Sequence, residues 1–150
     1  MTNPIVAMLQ KQIGKEGAQN AISPVAKYIG GIMRVVESGE ITIEYLVKKE
    51  HSNPTGGIHG GVVSLLMDEV IGIAVFSMNN DYLFTSINLS VNFLSSAKVG
   101  DTILVTAKVV RKGRKVIYVE SDITKLDGKV IARSSSNMTV TPVKNPWKQG

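Results

Sequence analysis

The chain has 150 residues, a length that fits one domain with a hydrophobic core. Its hydrophobic fraction of 43% and charged fraction of 19% are those of an ordinary globular protein and exclude global disorder. Because the sequence contains no cysteine, disulfides and cysteine-based metal sites are excluded as well.

The net charge of +5 is compatible with nucleic acid, an anionic membrane or an acidic small molecule as the partner. No aromatic residues alternate with basic ones as base stacking would require, which argues against nucleic acid. No stretch approaches the roughly 20 apolar residues that span a bilayer, and the N-terminus lacks the pattern of a secretory signal. We therefore expect a soluble, cytoplasmic protein with no nucleic-acid or membrane partner, and a phosphate-bearing ligand stays open.

The first 23 residues are predicted to form a separate helical segment. From Pro4 to Ala21 apolar residues recur along one side of a helix, although Gly14 and Gly17 weaken the pattern. We expect this helix to lie on the domain or on a partner subunit. A turn at Ser23 and Pro24 then leads into the main domain, which is predicted to span residues 24–141.

Two strands and a loop are predicted next. Residues 32–37 and 41–48 have strand-like patterns, and the three residues between them favour a hairpin turn. The following loop, Ser52 to Gly57, is rich in turn residues. Since Pro54 disfavours a helical conformation at Asn53, a helix should begin only after this loop.

Residues 59–78 are predicted to form a long helix that is apolar on nearly every side and must therefore be buried. Asp68 and Glu69 interrupt it near the middle, so it is a core helix and not a membrane span. Strand patterns follow at 83–94, 102–111, 116–124 and 130–140, with tight turns joining the last three as antiparallel neighbours. Residues 142–150 are predicted to be a tail.

These elements predict an α+β fold in which one antiparallel sheet of five or six strands wraps around one long buried helix, with an extra N-terminal helix. A sheet that covers a helix on one side leaves its own edges unpaired. Pairing two copies edge to edge is a common solution, so we expect a homo-oligomer.

The start of the long helix is the first candidate for chemistry, where His59 precedes Gly60 and Gly61. A helix N-terminus presents unpaired N–H groups and a partial positive charge. Two glycines let a ligand oxygen approach these amides closely, which is the geometry that stabilises an oxyanion. The same pair would also serve a tight entry from loop to helix.

Asp68 is the second candidate, because a carboxylate within an apolar helix is costly unless it is paired, hydrogen-bonded or functional. Glu69 points about 100° away and cannot do the same work. As an alternative, one of the two faces solvent and the other forms a buried salt bridge. Asp68 also follows His59 by nine residues, about 13 Å along a helix. If both act on one carbonyl, they must come from different subunits.

Three further groups of residues have both a functional and a structural interpretation. Asn53 could bind a ligand or form only an Asx-turn. Ser86 could orient a water or be an exposed strand serine. His51 is predicted to lie on the surface. A basic cluster could bind phosphate or form a solvated turn; it consists of Arg111, Lys112, Arg114 and Lys115.

The motif Asn53-Pro54-x-Gly56-x-x-His59-Gly60-Gly61 with Leu66-x-Asp68 resembles the phenylacetate-degradation type of hotdog-fold thioesterases. The similarity extends from about residue 24 to 140 and includes Gly30-Gly31-Ile32 and Phe93-Leu94-x-x-Ala97-x-x-Gly100-Asp101. It implies hydrolysis of acyl-CoA with no metal and no cofactor, since CoA is part of the substrate. It also implies a homodimer with one continuous sheet as the minimal active unit, and a homotetramer built from two dimers.

The resemblance further implies a role for each candidate residue. Asp68 would act as general base on a water or as nucleophile, and the Gly60 N–H would polarise the thioester carbonyl. His59 and Asn53 would orient the thioester, while Ser86 matches a hydroxyl that supports the water in some members only. The basic cluster would meet the CoA phosphates.

Two other functions compete with thioester hydrolysis. A non-catalytic acyl-thioester sensor or scaffold can share the hotdog fold, although residues 1–21 are too few for a helix-turn-helix domain. A dehydratase or hydratase would place a histidine and an acid differently, and the chain has only His51 and His59. The acyl specificity is not predicted; side chains that could line the acyl pocket are Met33, Met67, Phe76, Tyr82 and Phe84.

Overall fold

The computed structural model describes residues 2–17 and 21–148. Three α-helices and six strands make up this part of the chain. They are α1 (Pro4–Gln10), α2 (Pro24–Ile29), β1 (Ile32–Glu37), β2 (Glu40–Leu46), α3 (Gly60–Phe76), β3 (Tyr82–Phe93), β4 (Thr102–Lys112), β5 (Val116–Lys125) and β6 (Val130–Lys144). The strands form one antiparallel sheet in the order β1-β2-β4-β5-β6-β3, which wraps around α3. The predicted hotdog architecture is confirmed, with six strands.

Helix α3 is the centre of the core. Its apolar residues pack against five of the six strands, and Met67, Val70 and Ile71 are completely buried. The helix ends at Phe76, where the buried hydroxyl of Ser77 donates to the Ala74 carbonyl at 2.7 Å and accepts from the Gly39 amide at 2.8 Å. The end of the helix is thereby tied to the turn between β1 and β2.

Strand β3 lies at one edge of the sheet, hydrogen-bonded only to β6. It has 12 residues, and Ile87 on it is 59% exposed. Phe93, the last residue of the strand, is 58% exposed. A long edge with exposed apolar side chains is a surface that a further strand can pair with.

The predicted N-terminal helix is wrong in its length. Helix α1 ends at Gln10, and Gly14 adopts a φ of 79° and donates its N–H to the Met33 carbonyl of β1. Bonding to the strand replaces the next helical turn at that point. The buried side chains of Ile5 and Leu9 hold α1 on its own domain. Residues 18–20 of the predicted segment lie outside the described residues.

The chain after residue 141 is more ordered than the predicted tail. Strand β6 continues to Lys144, and Asn145 is buried, with its side-chain amide donating to the Asn80 carbonyl at 3.0 Å. The rings of Phe76 and Trp147 meet edge to face, with centroids 5.7 Å apart. In residues 2–17 and 21–148, no helix has the length and apolar character needed to cross a membrane. The predicted domain limits stay a prediction.

Candidate active site

The loop before α3 is held by the side chain of Asn53. Its Oδ1 accepts hydrogen bonds from the amides of Thr55 at 2.9 Å and Gly57 at 3.2 Å, which is an Asx-turn. Among the described residues, no hydrogen bond uses the Nδ2 of Asn53, so this donor is available to a ligand. The loop is fixed to the rest of the domain where the Ile58 amide donates to the Ala97 carbonyl at 2.7 Å.

His51 is buried, and its predicted surface position is wrong. Only 4% of the residue is exposed. Its Nδ1 accepts from the Lys48 amide at 3.1 Å, and its carbonyl accepts from the His59 amide at 2.8 Å. These hydrogen bonds join the two ends of the loop, and no pattern in the sequence predicts them. His51 therefore supports the loop from within the domain.

The start of α3 presents the features that the glycine pair predicts. The exposed His59 is the N-cap, and its Nδ1 accepts from the Gly61 amide at 2.9 Å. The Nε2 of the ring is then the nitrogen that carries the proton. The Gly60 amide donates to no acceptor within the described part of the chain. A Cβ at Gly60 would lie 3.3 Å from the ring of Phe93, so the absence of a side chain also leaves space between this amide and the ring.

Asp68 and Ser86 come together at the open edge of the domain. The Ser86 hydroxyl donates to Oδ1 of Asp68 at 2.9 Å, and both residues are exposed. No ion pair involves Asp68 in the ranges that the structure describes. The carboxylate is thus fixed through one oxygen, and its second oxygen is open to a water. Since Asp68 follows Gly60 by eight residues in α3, the two lie about 12 Å apart along the axis.

Glu69 occupies a different environment from its neighbour. It is half-buried, and the Ser23 hydroxyl donates to its Oε1 at 3.4 Å. Burial raises the pKa of Glu69, the charge of Asp68 raises it further, and the hydrogen bond from Ser23 opposes both. The predicted alternative of a buried salt bridge is wrong, because the described residues include no cation paired with Glu69.

The basic cluster lies at the turn between β4 and β5, with all four side chains exposed. None of them forms an ion pair with a described residue. Lys112 and Arg114 line a surface cavity of about 270 Å³ that Asp81 and Lys148 also border. Arg111 and Lys115 do not line it. The cluster therefore has two cations beside a concave surface and two that do not border it.

Two further cavities flank α3. One of them is lined by Phe76, Tyr82 and Phe84, three of the side chains named above as candidates for an acyl pocket. Met33 lines the other, together with Tyr45, Glu69 and Ile73, and burial and the charge of Glu69 raise the pKa of Tyr45. Met67 lines neither cavity, because it is completely buried in the core. Gly72 also lines the first cavity. The sequence analysis did not single out this residue, although it follows Asp68 by four positions and therefore lies one helical turn further along α3.

Comparison with known proteins identifies relatives over this same region. The family model of the thioesterase superfamily matches residues 55–132. Human acyl-coenzyme A thioesterase 13 is 31% identical over 96 residues, which are 63% of this chain and 69% of that protein. A phenylacetic acid degradation-related protein of Ralstonia eutropha is 28% identical, with a TM-score of 0.73 over 82% of this chain and 96% of its own. A Streptococcus mutans protein bound to acetyl-CoA is 25% identical, with a TM-score of 0.76 over 84% and 100%.

Proposed function

Because the chain belongs to the thioesterase superfamily, we propose that it hydrolyses acyl-CoA thioesters to a free acid and CoA. The resemblance of its motif to the phenylacetate-degradation type is confirmed by the relatives. A relative that is named an acyl-CoA thioesterase and another that holds acetyl-CoA support this substrate class. The observation that carries the proposal is the exposed Asp68 carboxylate, held through one oxygen by Ser86 at 2.9 Å.

In this mechanism Asp68 acts as a general base. Its free oxygen takes a proton from a water, and the water oxygen attacks the thioester carbonyl carbon. The oxyanion that forms accepts a hydrogen bond from the unpaired amide of Gly60. Collapse of the intermediate breaks the C–S bond, and the CoA sulfur takes up a proton. Direct attack by Asp68 on the carbonyl, followed by hydrolysis of an anhydride, is the other route open to the same residue.

The site requires two chains. The separation of Gly60 and Asp68 along α3, about 12 Å, is too large for both to contact one carbonyl group. The exposed edge of β3 carries Ser86 and is the surface on which a second copy would pair. We therefore place Asp68 of one chain beside Gly60 of its partner in a homodimer, and two such dimers in a homotetramer.

The remaining polar residues are assigned to substrate binding. The Nε2 of His59 and the Nδ2 of Asn53 are donors that can orient the thioester end. The CoA phosphates are assigned to the basic cluster, where Lys112 and Arg114 border the surface cavity. We assign no metal or cofactor to the reaction. The cytoplasmic location stays a prediction.

The test is thiol release from a panel of acyl-CoA substrates that differ in chain length and ring content. We expect hydrolysis by the wild type and a loss of at least about 100-fold in Asp68→Ala, as for removal of an acid–base group. Asp122→Ala removes an exposed carboxylate of β5 and serves as the matched control, with activity close to the wild type.

Three outcomes would contradict the proposal. Equal turnover by Asp68→Ala and the wild type would remove Asp68 from the mechanism. Saturable binding of acyl-CoA without hydrolysis across the whole panel would identify a sensor or scaffold instead. Addition of water to an enoyl-CoA would identify a hydratase.

A further inference from the structure

We infer that the cavity beside Gly72 receives the acyl group and that Gly72 sets the size of the acyl group accepted. This inference rests on the proposed thioester hydrolysis. Gly72 follows Asp68 by four residues in α3, about 6 Å along the axis and about 40° around it. The two residues therefore lie on the same side of the helix, one turn apart. A group that extends from the attacked carbonyl toward the end of α3 passes Gly72.

The backbone of Gly72 borders open space. A Cβ at this position would meet nothing within 4 Å. Glycine is less favourable than alanine in the interior of a helix, so Gly72 does not stabilise α3. What the missing side chain provides is room at the entrance of the cavity.

The cavity has the size and chemistry of a compact hydrocarbon group. Its volume is about 130 Å³, and an apolar cavity of about 150 Å³ is known to hold a benzene ring. Most of its wall is apolar, with Asn80, Tyr82 and Asn145 as the polar members. The apolar lining consists of Gly72, Val75, Phe76, Leu83, Phe84 and Met138.

Two of the three polar side chains of the wall use their amide donors inside the protein, which favours the acyl group over the pantetheine arm of CoA as the occupant. The side-chain amide of Asn80 donates to the Val75 carbonyl at 3.0 Å, and that of Asn145 donates to the Asn80 carbonyl at 3.0 Å. Pantetheine has two amide groups, which would lose hydrogen bonds to water against this wall. A hydrocarbon acyl group needs no such partner.

The far side of the cavity is fixed by the segment after β6. Asn145 is buried and bonded to Asn80, and the ring of Trp147 packs against Phe76. A longer acyl group would have to displace these contacts. The cavity therefore favours a group no bulkier than about one six-membered ring.

The cavity on the other side of α3 also has a mostly apolar wall, but it is smaller and includes charged side chains. It has a volume of about 90 Å³ and includes the half-buried carboxylate of Glu69 next to Tyr45. Contact with an apolar chain would take water away from that carboxylate, which is unfavourable. Ile73, one residue after Gly72, borders this second cavity and provides a matched control.

The test compares kcat/KM for acetyl-CoA, hexanoyl-CoA and benzoyl-CoA in four proteins: wild type, Gly72→Ala, Gly72→Leu and Ile73→Phe. We expect Gly72→Leu to lower the ratio of benzoyl-CoA or hexanoyl-CoA to acetyl-CoA by at least about 30-fold, the range for a few methylenes of pocket volume. Gly72→Ala should give a smaller shift in the same direction. Ile73→Phe should leave the ratio within about threefold of the wild type.

Two outcomes would overturn the inference. Equal losses for all three substrates in Gly72→Leu would indicate that pantetheine or the attacking water occupies the cavity. Pantetheine could reach it because its wall shares Asn80, Tyr82 and Phe84 with the basic surface cavity. A changed ratio of the larger substrates to acetyl-CoA in Ile73→Phe alone would place the acyl group in the cavity on the other side of α3. Thermal unfolding checks that each variant folds, and Gly72→Val replaces the leucine variant if it does not. A wild type that hydrolyses none of the substrates would reject the proposed function itself.

Discussion

The amide of Gly60 is the group that we propose to stabilise the oxyanion, and it can be deleted with little other change. Gly60 is the first residue of α3, a position where proline is well tolerated. His59 has a ψ of 136°, the extended conformation that precedes proline. We predict that Gly60→Pro folds but loses about 100- to 1000-fold in kcat, the effect of removing one oxyanion donor.

Gly60→Ala is the matched control for this measurement. It places a Cβ beside the Phe93 ring, as proline does, but keeps the N–H group. Its loss in kcat should stay below about tenfold, since the hydrogen-bond donor is retained. Equal losses in the two variants would mean that crowding against Phe93, and not removal of the amide N–H, lowers kcat.

The hydroxyl of Ser86 is predicted to position the Asp68 carboxylate. Ser86→Ala removes the 2.9 Å hydrogen bond and lets the carboxylate rotate. We expect kcat to fall roughly tenfold, in line with loss of one hydrogen bond to a charged group. Steady-state kinetics of Ser90→Ala, another exposed serine of β3, provide the comparison. A loss of the same size in Ser90→Ala would point to damage of the strand instead.

Glu69 is predicted to make stability depend on pH. Burial raises its pKa in the folded chain, so the folded state binds this proton more tightly than the unfolded state. Stability then falls as the pH rises from the ordinary glutamate range through the raised value. Glu69→Gln removes this loss, so its Tm should exceed that of the wild type near pH 8, with the difference shrinking near pH 4. A constant difference at both values, or the same gain in exposed Glu120→Gln, would contradict the assignment.

The sequence predicted which residues are candidates for the site, but not their environments. Asp68 and Ser86 are 18 residues apart and lie on different elements, so their contact depends on how β3 packs beside α3. The burial of His51 depends on a bond to the loop that it supports. Such contacts arise from tertiary packing, which the pattern of a single segment does not contain.

The edge strand β3 is the element on which the proposed assembly depends. Ile87→Lys places a charge on its exposed apolar surface, a change that blocks edge pairing in natural sheets. We predict that this variant is a folded monomer with little thioesterase activity, because Asp68 then lacks a partner loop. Analytical ultracentrifugation and circular dichroism measure the two properties.

Val110→Lys makes the same change on β4, where the side chain is 56% exposed. Strand β4 lies between β2 and β5 and offers no free edge. The variant should keep the oligomeric state and activity of the wild type. A dimeric and active Ile87→Lys protein would show that β3 is not the interface.

The elements differed in how well their sequences predicted them. Helix α3 was predicted within about two residues at its ends because its apolar residues surround it and a glycine-rich loop precedes it. Helix α1 was predicted too long, since its periodicity continues where Gly14 turns toward β1. Strand β6 was predicted too short because Pro142 favours an end; it is accommodated where the pairing with β3 shifts register.

The molecule is a sheet that wraps around one helix and, among the described residues, leaves the outer side of the edge strand β3 unpaired. A single copy does not contain the complete site that we propose. Strand β3 follows α3 in the chain but pairs with the last strand, β6, which leaves the Asp68 side of the domain uncovered. The sequence predicted the hairpins β4–β5–β6 from their short turns. It did not predict the order of the strands, because the β3–β6 pairing joins segments that are far apart in the chain.

The proposed site combines Asp68 of one chain with Gly60 of another, and mixed dimers show whether residues of two chains act together. Asp68→Asn and Gly60→Pro chains are each expected to be nearly inactive. When they are unfolded and refolded together in equal amounts, half of the dimers combine both kinds of chain and hold one intact site out of two. We predict recovery of about a quarter of the wild-type thioesterase activity. A mixture no more active than the two variants measured separately would contradict the shared site.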